Sequence, residues 1–91
     1  MEALFPLGQI VATPGALDAL ARADQTPSEF LSRHAAGDWR QLFPYDVAEN
    51  LYSLKHGLRV LSSYRTNAGD TLWLITEADR ASTTILLPQD Y

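Results

Sequence analysis

The chain has 91 residues, of which 46% are apolar and 20% charged, a balance typical of one small globular domain rather than a disordered tail. The formal net charge of −4 disfavours binding to nucleic acid phosphates, and the lack of cysteine excludes disulfides, thiolate nucleophiles and cysteine-ligated metal sites. The apolar runs are too short to span a membrane and the first residues lack a basic signal-peptide start, so we expect a soluble cytoplasmic protein.

The first part of the chain predicts one strand followed by two short helices. Gln9–Ala12 is apolar and β-branched, which favours a strand. Thr13 precedes a proline, and this pair is typical of a helix start, here of a helix over Pro14–Ala23. The same pair opens the segment Thr26–Ala36, where Glu29 completes a predicted capping box.

A third helix is predicted over Val47–His56. Asp46 is placed to cap its start, and a glycine follows its last turn. The spacing of its apolar residues predicts one buried stripe, formed by Val47, Leu51 and Leu54 and widened by Ala48 and Tyr52.

The end of the chain predicts an antiparallel β-meander. Strands are expected in 59–66, 71–76 and 83–87, and the first hairpin loop lies at 67–70 with its register left open. The fold class is therefore α+β in the order β-α-α-α-β-β-β, an antiparallel sheet of three to four strands covered on one face by about three helices. An exposed sheet edge at Thr83–Leu87 would favour pairing with a second copy in a homodimer.

Three large apolar side chains lie in the connection before the third helix. They are Trp39, Leu42 and Phe43. A domain this small needs buried area, so we expect them to cover one end of the core. If they were exposed together, they would form the best partner-binding patch in the chain.

The residues that could support catalysis are few. One alternative is a small nuclease or toxin-like enzyme with the layout of barnase or RelE, using His56, Arg59, Tyr64, Arg65 and Arg80. Against it, His34 and His56 lie near predicted helix ends, where stabilisation of the helix dipole is their commoner role. Two distant histidines do not make a metal site, and no phosphate-binding or dinucleotide motif indicates a cofactor.

A charged cluster lies at the second predicted hairpin. It consists of Glu77, Asp79 and Arg80. These residues could bind a partner or act as acid, base and electrostatic clamp. More often such a cluster is a solvated turn, in which Asp79 binds backbone amides and Arg80 pairs with a nearby acid.

Several segments together resemble one family. The segments are LFPLGQIVATPGALDAL, FLSRHAAGDW, LKHGLRVLSSY and TLWLITEADRASTTILLPQDY. They resemble small bacterial proteins encoded on integrative conjugative elements and plasmids, the plasmid-related proteins. The resemblance implies a setting, the cytoplasm of a bacterium carrying a mobile element, and brings no activity or site residue with it. The second label of that family, a type I restriction modification subunit, does not fit a chain without a cofactor-binding domain.

These observations favour a non-catalytic protein-interaction protein of a mobile element, with an unidentified protein partner. An accessory or counter-defence factor, acting on host restriction or CRISPR machinery, belongs to this class. A version that imitates phosphate charge should align its carboxylates in one stripe: Asp18, Asp24, Glu29, Asp46, Glu49, Asp70, Glu77 and Asp79. A DNA-binding regulator using the helix Thr26–Ala36 is a further alternative, which the scarcity of basic residues disfavours.

Overall fold

A four-stranded sheet and three α-helices make up the fold in the computed structural model, which describes residues 3–91. In chain order the elements are β1 (Gln9–Ala12), α1 (Pro14–Ala23), α2 (Pro27–Ala35), α3 (Pro44–His56), β2 (Val60–Arg65), β3 (Thr71–Thr76), β4 (Ser82–Leu86) and a 3-10 helix (Pro88–Asp90). The α+β class and the predicted element order are confirmed. The closing 3-10 helix is an addition to the prediction.

The sheet is mixed, with the strand order β1-β4-β3-β2. Strands β2, β3 and β4 form the predicted antiparallel meander. β1 joins the sheet beside β4 but runs parallel to it, with Gln9 opposite Ser82 and Ala12 opposite Ile85. The prediction of a purely antiparallel sheet is therefore wrong for β1. Alternation along a strand predicts its two faces but not its direction, and the long connection from β1 to β4 permits a parallel crossover.

The edges of the sheet also differ from the prediction. β4 lies between β1 and β3, so Thr83–Leu87 is not the exposed edge that would favour pairing with a second copy. The outer edge of β2 is covered by α3, because the Asn50 side chain accepts from the Leu61 amide at 3.1 Å and donates to the Leu61 carbonyl at 2.7 Å. One side-chain amide thus takes the place that a neighbouring strand would have.

The register between β2 and β3 decides which side chains share a face. Tyr64 lies opposite Leu72, and Ser63 lies opposite Trp73. Side chains alternate along each strand. Tyr64 and Leu72 therefore point towards the helices, where both are buried, whereas Ser63 and Trp73 point to the other face and are half-buried.

The three helices begin where a proline follows an extended residue. The Thr13 hydroxyl accepts from the Ala16 amide and caps α1 as predicted. Thr26 makes no side-chain cap to α2, so the predicted capping box there is wrong. α3 begins at Pro44, with Phe43 before it, rather than after the predicted cap Asp46. None of the helices described in 3–91 has the length and apolar character that a bilayer span requires.

The core lies between the helices and one face of the sheet, in two clusters. The larger cluster contains Ala16, Ala19, Leu20, Phe30, Tyr64, Leu72, Leu74, Ile85 and Leu87. The smaller cluster contains Phe5, Trp39 and Val60, with Leu42, Val47 and Leu54 packed against it. α1 and α2 supply the larger cluster, and α3 lies against the smaller one.

The third helix is less buried than its apolar stripe predicts. Its fully buried positions are Asn50 and Ser53, which are polar. Leu51 is 56% exposed and Tyr52 is 55% exposed, so the predicted burial of these two side chains is wrong. The helix packs against the edge of β2 and not over the sheet, which leaves room for few contacts.

Candidate binding surface

The residues of the enzyme alternative do not converge on one site. His56 is exposed and its ring packs on Tyr52, with ring centres 4.1 Å apart. Tyr64 is buried on the helix side of the sheet, and its hydroxyl donates to the Asp38 carbonyl at 2.7 Å. Arg65, the next residue along β2, is exposed. This placement brings together no acid, base and substrate-binding group.

Arg59 and Arg80, the other two arginines proposed for the enzyme, contact different partners. Arg59 lies 3.6 Å from Glu77 in an exposed ion pair. Arg80 has a left-handed backbone with φ of 61°, and its guanidinium donates to backbone carbonyls of Leu58 at 2.6 Å and Ser53 at 3.3 Å. Arg80 therefore joins the second hairpin to the end of α3.

The charged hairpin behaves largely as a turn. Asp79 accepts from the Ala81 amide at 2.9 Å, the backbone contact predicted for it. Arg80 binds carbonyls instead of the acid that we expected as its partner. Among the described residues there is no group of three or more histidine, aspartate or glutamate side chains placed to hold a metal ion.

A buried hydrogen-bonded chain, which the sequence does not predict, links α2 to three strands. It runs through Trp39, Ser62, His34, Thr76, Thr83 and the carbonyl of Leu7. His34 is fully buried; its Nδ1 lies 2.5 Å from Ser62 Oγ and its Nε2 lies 2.8 Å from Thr76 Oγ1. The expectation that His34 serves mainly the helix dipole is wrong, since both ring nitrogens have side-chain partners on the sheet.

The direction of each hydrogen bond in this chain follows from its ends. Thr83 donates to a backbone carbonyl, so Thr76 must donate to Thr83. Thr76 then accepts from the His34 Nε2–H. Nδ1 of the neutral imidazole is therefore an acceptor and takes the Ser62 proton, while the Ser62 oxygen accepts from the Trp39 indole N–H. If the imidazole of His34 is neutral, each hydrogen-bond donor of the network has one acceptor. Burial favours this neutral form and lowers the pKa of His34 to about 4. This hydrogen-bonded network is buried, and it stabilises the packing of α2 on the sheet.

A second polar cluster fixes the connection after α2. The Asp38 carboxylate accepts from Arg33 and from Arg40, each at 2.8 Å. The hydrogen bond from Arg40, together with Arg33, holds the pKa of Asp38 well below its usual range. Arg33 also lies over the Tyr64 ring, 4.4 Å from its centre. This cluster positions the segment that carries Trp39.

The same ion pairs bear on the DNA-binding alternative. Arg33 is engaged by Asp38, and Arg22 contacts both Asp18 and Asp70. Phe30 and His34, on the same helix as Arg33, are buried against the sheet. The two arginines of the candidate helix pair are thus held by carboxylates of this chain.

Two of the acidic residues expected in one stripe, Asp70 and Glu77, lie far apart and are not free. Asp70 precedes β3 and Glu77 follows it, so they lie at opposite ends of a six-residue strand. At about 3.3 Å per residue, such a strand separates them by roughly 20 Å. Asp70 and Glu77 are also paired with arginines of this chain.

The face of the sheet turned away from α1 and α2 carries an apolar surface. We call it the open face; the residues Leu61, Trp73, Ile75 and Leu86 share it by register. Tyr91 reaches over it, its ring centre 5.9 Å from that of Trp73. Leu61 is 37% exposed and Tyr91 72% exposed, so part of this surface meets solvent.

Two depressions on the open face together form one groove. The first, of about 280 Å³, is lined by Arg59, Leu61, Trp73, Ile75 and Tyr91. The second, of about 250 Å³, is lined by Gln41, Leu42, Phe43, Asp46, Leu61, Ser63 and Trp73. Leu61 and Trp73 line both depressions, so the two adjoin, and we call the pair the groove. An apolar groove with a few polar groups at its rim is the usual form of a binding site.

Of the three large apolar side chains before α3, some lie in the core and others line the groove. Trp39 is buried, as expected of a core residue, and Leu42 is half-buried. Phe43 is 78% exposed, so its predicted place in the core is wrong. Phe43 immediately precedes α3 and lies at the end of the groove.

Comparison of the chain with protein-family models, curated protein sequences and solved structures gave no match.

Proposed function

We propose that this protein is a non-catalytic interaction protein that binds a protein partner through the groove on the open face. The observation that carries the proposal is the apolar groove on the open face, where Leu61 and Phe43 are exposed and Trp73 is half-buried. A small domain gains by burying such side chains, so their exposure is typical of a surface that a partner covers.

The chemistry of the groove favours an apolar side chain of the partner as its main occupant. Aromatic rings from Trp73 and Tyr91 form one end and Phe43 forms the other. Arg59 and Asp46 at the rim bring one charge of each sign, which suits polar contacts around a buried centre. The scattered candidate catalytic residues give the enzyme alternative no comparable support.

The setting of the proposal is a bacterial mobile element, and it rests on the resemblance of the four quoted segments to plasmid-related proteins. A counter-defence role on a host restriction or CRISPR protein is included in it. Such a factor would act by covering a protein surface with the groove. Imitation of phosphate charge is not part of the proposal, because Asp18, Asp70 and Glu77 are each paired with an arginine of this chain.

A capture experiment with matched variants tests the proposal. The immobilised protein is exposed to a host lysate beside Leu61→Arg and Phe43→Ser, which change the groove, and Leu17→Arg, which changes an exposed leucine on α1. We expect a protein that is retained by the wild type and by Leu17→Arg but lost from both groove variants. A partner retained equally by all four would place the interaction elsewhere.

A further inference from the structure

The longest run of exposed large apolar side chains in residues 3–91 lies in and beside α3. It comprises Phe43, Tyr45, Leu51, Tyr52, Leu58 and Leu61. Phe43 and Leu61 line the groove, whereas Tyr45, Leu51, Tyr52 and Leu58 do not. Leu51 and Tyr52, in the middle of α3, therefore need an explanation of their own.

One face of α3 points away from the rest of the molecule. Ala48, Leu51, Tyr52 and Lys55 follow the spacing i, i+3, i+4, i+7, which places them on one side of a helix. All four are exposed, whereas Asn50, on the opposite side, is buried against β2. We call these four residues the outer face of α3.

Charge is distributed unevenly along this helix. Asp46 and Glu49 lie in its first half, and Lys55 and His56 lie in its last turn. Within the described part of the chain, neither Glu49 nor Lys55 takes part in an ion pair. A helix with acid at one end and base at the other complements a copy of itself that runs in the opposite direction, whereas a parallel copy would set like charges together.

We propose that the outer face of α3 binds a second copy of this chain, with the two α3 helices antiparallel about a two-fold axis. The axis passes near Leu51 and Tyr52, which then pack against the same residues of the second copy. Glu49 of each copy lies alongside the last turn of the other, where Lys55 supplies the opposite charge. This dimer is separate from the proposed partner groove, whose lining residues it does not use.

The size of the contact predicts a reversible dimer. α3 has thirteen residues and is therefore about 20 Å long. A single pair of such helices buries less surface than the roughly 1,200–2,000 Å² of a stable interface. We expect a dimer that dissociates on dilution, which makes its affinity measurable.

Charge reversal tests both the surface and its direction. Sedimentation over about 1 µM to about 1 mM should show the wild type passing from monomer to dimer. Glu49→Lys and Lys55→Glu should each weaken the dimer about tenfold or more, because the two-fold axis repeats every contact. An equimolar mixture of the two variants should dimerise again, since every acid then meets a base.

An exposed control variant separates a local effect at α3 from a general effect of charge. Glu29→Lys makes the same charge change on α2 and should leave the dimer intact, and circular dichroism checks that each variant is folded. A wild type that stays monomeric throughout the range overturns the proposal, as does a dimer that neither reversal weakens. Two weakened variants that do not recover on mixing overturn the antiparallel arrangement. If Leu61→Arg loses partner capture but still dimerises, the dimer is supported as independent of the groove.

Discussion

His34 is held uncharged because its ring is fully buried and both ring nitrogens are already hydrogen-bonded. Burial lowers the pKa of His34 from its usual 6.5 to about 4. Between about pH 4 and pH 6.5, His34 is protonated in the unfolded protein but not in the folded protein. The stability that depends on neutral His34 is therefore fully present above about pH 6.5, and it is lost as the pH falls towards 4.

The free energy of unfolding should fall by about 2–3 kcal/mol between about pH 7.5 and about pH 4.5 through His34, since one pKa unit corresponds to about 1.36 kcal/mol. His34→Gln should be less stable at neutral pH, because it breaks the buried hydrogen-bonded chain, but should lose much less stability on acidification. Urea unfolding at the two pH values measures both effects. His56→Gln, an exposed control, should keep the wild-type pH dependence; if His34→Gln keeps it too, the assignment to His34 is wrong.

The sequence could not reveal this network, although it did predict the helix that carries His34. The side-chain partners of His34 are Ser62, 28 positions away, and Thr76, 42 positions away. Hydroxyl residues on a predicted strand look the same whether they face solvent or a buried imidazole. Only the register of β2, β3 and β4 places Ser62, Thr76 and Thr83 on the helix side together.

At the scale of elements, the two Thr-Pro helix starts look alike in sequence but differ in structure. The Thr13 hydroxyl accepts from the Ala16 amide and donates to the Asp90 carboxylate at 2.7 Å. Thr26 makes no side-chain cap to its helix. The Thr13 contact joins the start of α1 to the end of the chain, so it stabilises more than one local turn.

Thr13→Ala should lower the free energy of unfolding by about 1 kcal/mol, the usual loss for a helix cap. Thr26→Ala should change it by less than about 0.5 kcal/mol, as is common for an exposed site without such a contact. Thermal unfolding of the two variants in parallel measures the difference. Equal losses would mean that the Thr13 hydroxyl does not stabilise α1 as its contacts indicate.

Helix positions were easier to predict than helix burial. The bounds of α1 match the prediction, and α3 ends at His56 as expected. The periodicity of α3 predicted its buried face only in part: Val47 and Leu54 pack against the smaller cluster, whereas Ala48, Leu51 and Tyr52 are exposed. An apolar stripe does not show whether a sheet, an edge or another chain covers it. The hydrogen bonds of Asn50 to the edge of β2 set the rotation of α3, so that Leu51 and Tyr52 face solvent.

At the scale of the whole molecule, β1 depends on a close approach between distant parts of the chain. Gly8, just before β1, has a φ of 66°, and a Cβ added there would overlap the backbone carbonyls of Arg80 and Ala81. The next amide, that of Gln9, donates to the Ala81 carbonyl at 2.9 Å. Only glycine allows the chain to enter the sheet at this distance from the second hairpin.

Gly8→Ala should therefore lower the free energy of unfolding by about 3 kcal/mol or more, since it combines backbone strain with an overlap that cannot relax locally. Gly57→Ala is the matched control: its φ is 68°, but an added Cβ meets no atom within 4 Å. That variant should lose about 1–2 kcal/mol from strain alone. Chemical denaturation compares the two, and similar losses would show that the contact with Ala81 is unimportant.

The sequence by itself determined the elements of this protein: where its helices and strands lie, their order, and the antiparallel meander at the end of the chain. These features depend on propensities, caps and turns within a few residues, which the sequence states directly. The tertiary structure alone decided the parallel docking of β1, the buried partners of His34, and the exposure of Phe43, Leu51 and Tyr52. All of these depend on contacts between residues far apart in the chain, whose geometry no local pattern encodes.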